Sequence, residues 1–246
     1  NNSLRGRDYI NIHDLSSEDF RYLIDLAWNL KAQKKSGVDQ RYFPGKNVLA
    51  NFEWGSTRTR CAFETSCNDL GMGFTYLTNS HMGDCETVKD AMRVFNGMYD
   101  LIVYRAQKDE QFLYDVADLV DIPVINALTL GDHPTQMLAD ALTMEEQWGG
   151  LGAGTDPRQE DGLRWQLRRL PGVDGRLCAM LDMDFLAIGP DDLRHQMCKE
   201  MIEEVEACYA KYAPNRTFTI TSDLDALDGV DVIVTEEWRY INPECG

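Results

Sequence analysis

The chain has 246 residues, 43% of them hydrophobic, with 41 acidic against 24 basic side chains and a formal net charge of −17. That apolar content supplies a core and excludes disorder along the whole chain, while the acidic excess argues against a nucleic-acid-binding surface. No stretch nears the ~18–20 apolar residues of a membrane span, the first twenty residues hold no apolar signal core, and seven cysteines scattered without metal spacing fit reduced thiols in the cytoplasm.

In chain order, residues 16–34 open on serine caps and carry apolar residues at helical spacing, predicting a helix. KNVLANFE (46–53) follows Pro-Gly and reads as a strand; WGSTRTRCAFETS (54–66) then passes from loop into a helix that runs to about Gly71. GFTYL (73–77), LIVYR (101–105) and IPVINAL (122–128) read as further strands. Between and after them, 86–99, 109–120 and 134–148 read as helices, the last opened by Pro134. Strand and helix alternate four times with short links, the pattern of a parallel, doubly wound sheet.

Residues 149–175 break this rhythm and read as a connector. GGLGAG (149–154) follows a helix rather than a strand, which argues against a dinucleotide loop. Beyond it, RLCAML (176–181) and DFLAIG (184–189) are strand-like, and 191–212 form a long acidic helix. FTITSD (218–223) and VDVIVTEEW (230–238) read as strands around a short helical LDALD. The expectation is an α/β protein with two domains, 1–148 and 176–246, the second apparently incomplete.

Chemistry concentrates at the carboxyl ends of the first domain's strands. Ser56, Thr57 and Thr59 bring hydroxyl donors to a predicted helix start, where free N–H groups and the helix dipole favour an oxyanion. Arg58 adds a planar fork that grips phosphate with two hydrogen bonds. The net charge does not oppose such a site, because at a Debye length of about 8 Å distant carboxylates are screened. Arg105 ends the strand LIVYR, and His133 and Gln136 lie in DHPTQMLADALT, just past the strand IPVINAL. Ligands of open parallel sheets bind at that edge.

Three ordered motifs, FEWGSTRTRCAFETS, MYDLIVYRA and DHPTQMLADALT, resemble the aspartate/ornithine carbamoyltransferase family, with an ornithine-type flavour. The resemblance covers residues 8–148 well and the remainder poorly. It implies two doubly wound parallel-sheet domains with the active site in the cleft between them. It further implies that Ser56, Thr57, Arg58 and Thr59 hold the phosphate of carbamoyl phosphate, and that Arg105, His133 and Gln136 hold its carbamoyl end. Arg58, Arg105 and His133 are then the expected catalytic groups, and the reaction needs neither metal nor cofactor. A loop like NSHMGDCE reaches into the neighbouring subunit in that family, which implies a homotrimer with His81, in place of the usual Gln, completing each site.

The second half departs from the family's pattern. No acceptor loop is legible, because RLCAML runs almost directly into DFLAIG. TEEWRY (235–240) stands where the family has Thr-Asp-x-Trp, so Glu236 takes the place of an Asp expected to meet the acceptor's amino group. The His-Cys-Leu-Pro motif is missing, consistent with a truncated chain or an absent segment. Three readings stay open: an ornithine carbamoyltransferase, a carbamoyltransferase for another amine such as putrescine or a modified ornithine, and a non-catalytic relative.

Overall fold

Helix α1 (Ser17–Lys35) begins where the Ser16 hydroxyl accepts the Asp19 N–H at 3.0 Å, with acidic residues in its first turn and lysines in its last, complementing the helix dipole. The computed structural model describes residues 4–78, 80–148, 164–166, 171–189 and 199–234. The chain divides into two compact units, Asn1–Gln147 and Trp148–Gly246.

In the first unit, strands β1 (Asn47–Phe52), β2 (Gly73–Leu77), β3 (Leu101–Arg105) and β4 (Val124–Asn126) form one parallel sheet in the order β2-β1-β3-β4. Helices α2 (Arg58–Leu70), α3 (Val88–Asn96), α4 (Glu110–Ala117) and α5 (Pro134–Trp148) alternate with them. Cys67 of α2 shares one apolar layer with Val48, Ala50, Phe52 and Val103. Met92 of α3 and Leu113 and Val116 of α4 share the opposite layer with Ile102, Tyr104 and Val124. Both faces are therefore covered, which is why β1 buries five of its six residues and reads as a continuous apolar run.

The N-terminal segment adds an edge to this sheet. Tyr9 bridges Ile125, donating its N–H to the Val124 carbonyl and accepting from the Asn126 N–H, both at 2.9 Å. Its burial as an extended single strand residue leaves no periodicity in the sequence to announce it.

The strand order places the topological switch between β1 and β3. From β1 the chain passes to β2 on one side, then returns to place β3 on the other. Loops after β1 and β3 therefore diverge to opposite faces and leave a crevice at their carboxyl ends.

In the second unit, β5 (Arg164–Gln166), β6 (Asp184–Ile188), β7 (Phe218–Thr221) and β8 (Val232–Ile233) form a second parallel sheet, ordered β7-β6-β5-β8. Helices α6 (Pro171–Met180) and α7 (Lys199–Tyr212) connect them. Two expectations are corrected here. Residues 149–175 are not simply a connector, since they contain β5, an inner strand of the sheet, and the start of α6. RLCAML is not a strand either, since all but its last residue lies in α6. Residues 174–180 are buried on every side of this helix, so no polar face marks a 3.6-residue period. The short run into DFLAIG is a helix-to-strand turn: Met183 donates its N–H to the Cys178 carbonyl at 2.9 Å, and Asp182 takes the left-handed conformation at φ 56°. The crossover expected between neighbouring parallel strands is α6 itself, joining β5 to β6.

Candidate active site

At the exit of β1, three hydrogen bonds staple Glu53 to the exit of β3. Its N–H donates to the Arg105 carbonyl at 3.0 Å, and its carboxylate accepts from the Tyr104 hydroxyl at 3.0 Å and the Gln107 N–H at 2.7 Å. The chain then runs through Trp54 and Gly55 into α2. Thr57 takes the N-cap position, yet its side chain makes no capping bond, whereas Ser16, Thr87 and Asp109 all cap their helices. The first turn of α2 holds no acidic residue. Among the described residues, the hydroxyls of Ser56, Thr57 and Thr59 and the guanidinium of exposed Arg58 take no partner. A helix start with uncommitted N–H groups, three hydroxyls and one cation is chemically suited to a tetrahedral oxyanion.

Arg60 is committed differently. Its guanidinium lies 4.0 Å from the Tyr76 ring centroid on β2 and 3.8 Å from the Glu64 carboxylate. It braces α2 against the edge of the sheet.

Arg105 pairs in register with Phe52 across β1 and β3, so the last residue of β3 stands beside the start of the Glu53–Thr57 loop. Its guanidinium carbon is 5.2 Å from the Trp54 ring centroid. The neighbouring loop after β4 is tightly determined. Asn126 is fully buried, donating from its amide to the Ile10 carbonyl at 2.8 Å and accepting the Leu128 N–H at 2.8 Å. Leu128 is held at φ 139°, an unusual value for a side-chain-bearing residue, and its carbonyl accepts from the Ala106 N–H next to Arg105. Asp132, also fully buried, accepts the Ile12 N–H at 3.1 Å, while its own N–H donates to the Thr129 hydroxyl at 3.2 Å.

This loop delivers His133 to the start of α5. Burial and, secondarily, the positive charge of Arg105 push its pKa down to about 4, so the imidazole is neutral at physiological pH. The shift also reports that Arg105 and His133 share one electrostatic environment. Thr135 Oγ1 lies 3.3 Å from His133 Nδ1. With the hydroxyl as donor to Nδ1, the ring proton lies on Nε2, which becomes a hydrogen-bond donor. Gln136 is exposed, and its Nε2 donates to Asp140 Oδ1 at 2.8 Å, one turn along α5. Burial raises the Asp140 pKa, the Gln136 bond opposing it. An ionised Asp140 accepts only, which turns the amide oxygen of Gln136 outward as an acceptor.

Ser56, Thr57, Arg58, Thr59, Arg105 and His133 thus share the carboxyl edge of one sheet, around its switch point. His81 is exposed in a loop after β2, closed on itself where the Asp84 and Glu86 N–H groups donate to the His81 carbonyl at 3.1 and 3.0 Å. The whole of the expected acceptor stretch TEEWRY (235–240), Glu236 included, lies outside the described residues, as does GGLGAG. Among the described residues no cluster of His, Cys, Asp and Glu is arranged to hold a metal, and no helix is long and apolar enough to cross a membrane. Trp54, Glu53, Thr135 and Asp140 were not legible as contributors to the site. Trp54 and Glu53 adjoin the Ser56–Thr59 segment in sequence, and the Gln136-Asp140 spacing of four is a helical hydrogen-bond signal.

Comparison with known proteins follows the same lines. The profile described as "Aspartate/ornithine carbamoyltransferase, carbamoyl-P binding domain" matches residues 7–146. The catabolic ornithine carbamoyltransferase of Clostridium perfringens is 38% identical over 242 residues, covering 96% of this chain and 69% of that protein. Among solved structures, the ornithine carbamoyltransferase from Pyrococcus furiosus is similar with a TM-score of 0.83 at 26% identity, covering 98% of this chain and 75% of the other. The ornithine transcarbamoylase from Giardia lamblia gives 0.80 at 28% identity, covering 96% and 75%.

Proposed function

The chain belongs to the aspartate/ornithine carbamoyltransferase family, and from that premise we propose that it moves the carbamoyl group of carbamoyl phosphate to the side-chain amine of L-ornithine, giving L-citrulline and phosphate. The observation that carries this reading is the convergence of an uncommitted anion-binding helix start with Arg105 and neutral His133 at one switch point. Ser56, Thr57, Arg58 and Thr59 hold the phosphate. Arg105 and His133 Nε2–H donate to the carbonyl oxygen, where negative charge builds as the amine attacks. Gln136 Oε1 accepts from the carbamoyl NH2. The C–N bond forms, the C–O bond to phosphate breaks, and the amine sheds one proton, which the phosphate group takes as it departs, leaving as the hydrogenphosphate dianion.

A neutral His133 matters for this assignment. An imidazolium beside Arg105 would add a second cation whose proton is poorly placed to be retained, whereas a neutral ring donates without titrating near pH 7. Removing one donor aimed at such a developing oxyanion typically costs about 3–4 kcal/mol, a hundredfold to thousandfold in rate. Holding two substrates in reacting geometry supplies much of the remaining acceleration. No side-chain nucleophile is needed. Glu236, one methylene longer than the Asp it replaces in the resemblance, is proposed to pair with the acceptor's cationic amino group. His81 is proposed to reach the site of a neighbouring subunit in a homotrimer, and the cytoplasm is the proposed compartment.

The test is citrulline formation from ornithine and carbamoyl phosphate, run beside putrescine and acylated ornithines, with calorimetry of carbamoyl phosphate on the wild type and Arg58→Ala. Preferred turnover of ornithine, and an affinity loss of about ten- to a hundredfold in Arg58→Ala at unchanged thermal stability, support the proposal, since a hydrogen bond to a charged group is worth about 1.5–3 kcal/mol. Preferred turnover of another amine would reassign the acceptor. Equal affinities in wild type and Arg58→Ala would remove the phosphate grip.

A further inference from the structure

Trp54 leaves β1 with its ring against Arg105 at the end of β3, so it meets both sides of the switch-point crevice. It follows Glu53, whose three hydrogen bonds to the Tyr104–Gln107 segment fix where the backbone leaves β1. Its ring centroid lies 5.2 Å from the Arg105 guanidinium carbon, within the roughly 6 Å at which a cation is attracted to an aromatic face. Tryptophan is the strongest partner for that attraction. The indole N–H is buried and takes no hydrogen-bond partner among the described residues, so hydrogen bonding does not set the orientation of the ring. Its face meets Arg105 instead.

Arg105 is a long side chain at a strand end, with several rotamers to lose before it can meet a substrate. We propose that Trp54 is a positioning residue, its indole face holding the Arg105 guanidinium at the β1–β3 crevice so that the cation meets the substrate's carbonyl oxygen already oriented. The consequence for rate rests on the carbamoyltransferase reading above; the consequence for the free protein does not. Arg105 helps depress the titration of His133, so a guanidinium released from the indole relaxes that effect and leaves burial to act alone. The same arrangement places the Arg105 side-chain protons under the ring current of the indole.

The experiment uses the full chain, free of substrate, with Trp54→Phe and Trp54→Leu. With four histidines in the sequence, ring resonances are few and His133 is assigned by its loss in a His133→Asn control. In Trp54→Leu the His133 titration is expected to move upward and kcat to fall by about ten- to a hundredfold, with KM for the amine little changed. Trp54→Phe retains an aromatic face and is expected to lose no more than about threefold in kcat, with a His133 titration close to wild type. A Leu variant with wild-type titration overturns the proposal whatever its rate, and so does a Phe variant that falls as far as Leu. Should Trp54→Leu fail to fold, the wild type decides: Arg105 δ-methylene resonances at ordinary, unshifted positions overturn the proposal, and upfield-shifted ones support it. If no carbamoyltransferase activity is found, the titration and ring-current measurements still stand or fall alone.

Discussion

His133 bears on stability as well as on the proposed site, and the sign of that contribution follows from its titration. Its pKa in the fold is about 4, below the usual 6.5, because burial and Arg105 both disfavour the charged ring. As pH falls, the unfolded chain takes up the proton first, so the stability held by the neutral ring is fully present above about pH 6.5. It is lost progressively between there and pH 4, by up to about 3 kcal/mol. Denaturant unfolding of wild type and His133→Asn across pH 4–7.5 checks this. The variant should lack that part of the acid slope, while the carboxylate contribution remains in both. Identical slopes would mean that the ring is solvated. The chemistry of His133 could be suspected from DHPTQ, but its depressed titration could not, because Arg105 arrives from a strand 28 positions earlier.

At the scale of elements, α6 shows how close packing overrides pattern. Gly175 lies where a Cβ would sit 2.7 Å from Val205 Cγ1 and 3.2 Å from Phe185 Cδ1, so the helix backbone approaches α7 and β6 directly. Gly175→Ala should therefore destabilise the second unit by about 1–3 kcal/mol despite alanine's better helix propensity. Adding Val205→Ala should recover part of the loss. Thermal melts of the two single variants and the double variant decide it, and a stabilised Gly175→Ala would mean that α6 and α7 stand further apart. The elements of the first unit were far more legible. GFTYL and LIVYR match β2 and β3, and the helix opened by Pro134 matches α5, because two-sided burial, turn residues and a proline start are written locally. IPVINAL overshoots β4, which ends at Asn126, because Leu128 then donates its N–H to the Asn126 side chain and the chain turns into the loop that carries His133.

At the scale of the whole molecule, His81 tests the assembly. It is exposed, in a self-closed loop beyond β2, while Arg58 stands at the start of α2. In the proposed trimer each site combines its own Arg58 with a neighbour's His81. Mixing inactive Arg58→Ala and His81→Ala proteins under subunit exchange should then restore activity to about a quarter of the sites, since each needs one subunit of each kind on the correct side. Sedimentation should give three chains per particle. A fully active monomer, or mixing that restores nothing, would show that each chain completes its own site.

Taken alone, the sequence determined what contiguous residues can decide: the alternating strands and helices of the first unit, the helix start at Ser56–Thr59 proposed to bind an anion, and the family to which the chain belongs. Turn chemistry, capping and amphipathic spacing act over a few residues, and the proposed phosphate grip, built from one loop, is legible for the same reason. Tertiary structure alone decided the order β2-β1-β3-β4, and with it the switch point. It also decided that Trp54, Arg105 and His133 share one environment, and that an apolar run read as strand is α6. Strand order depends on which apolar faces find one another across the whole chain, and a helix buried on every side carries no periodic trace of its own shape.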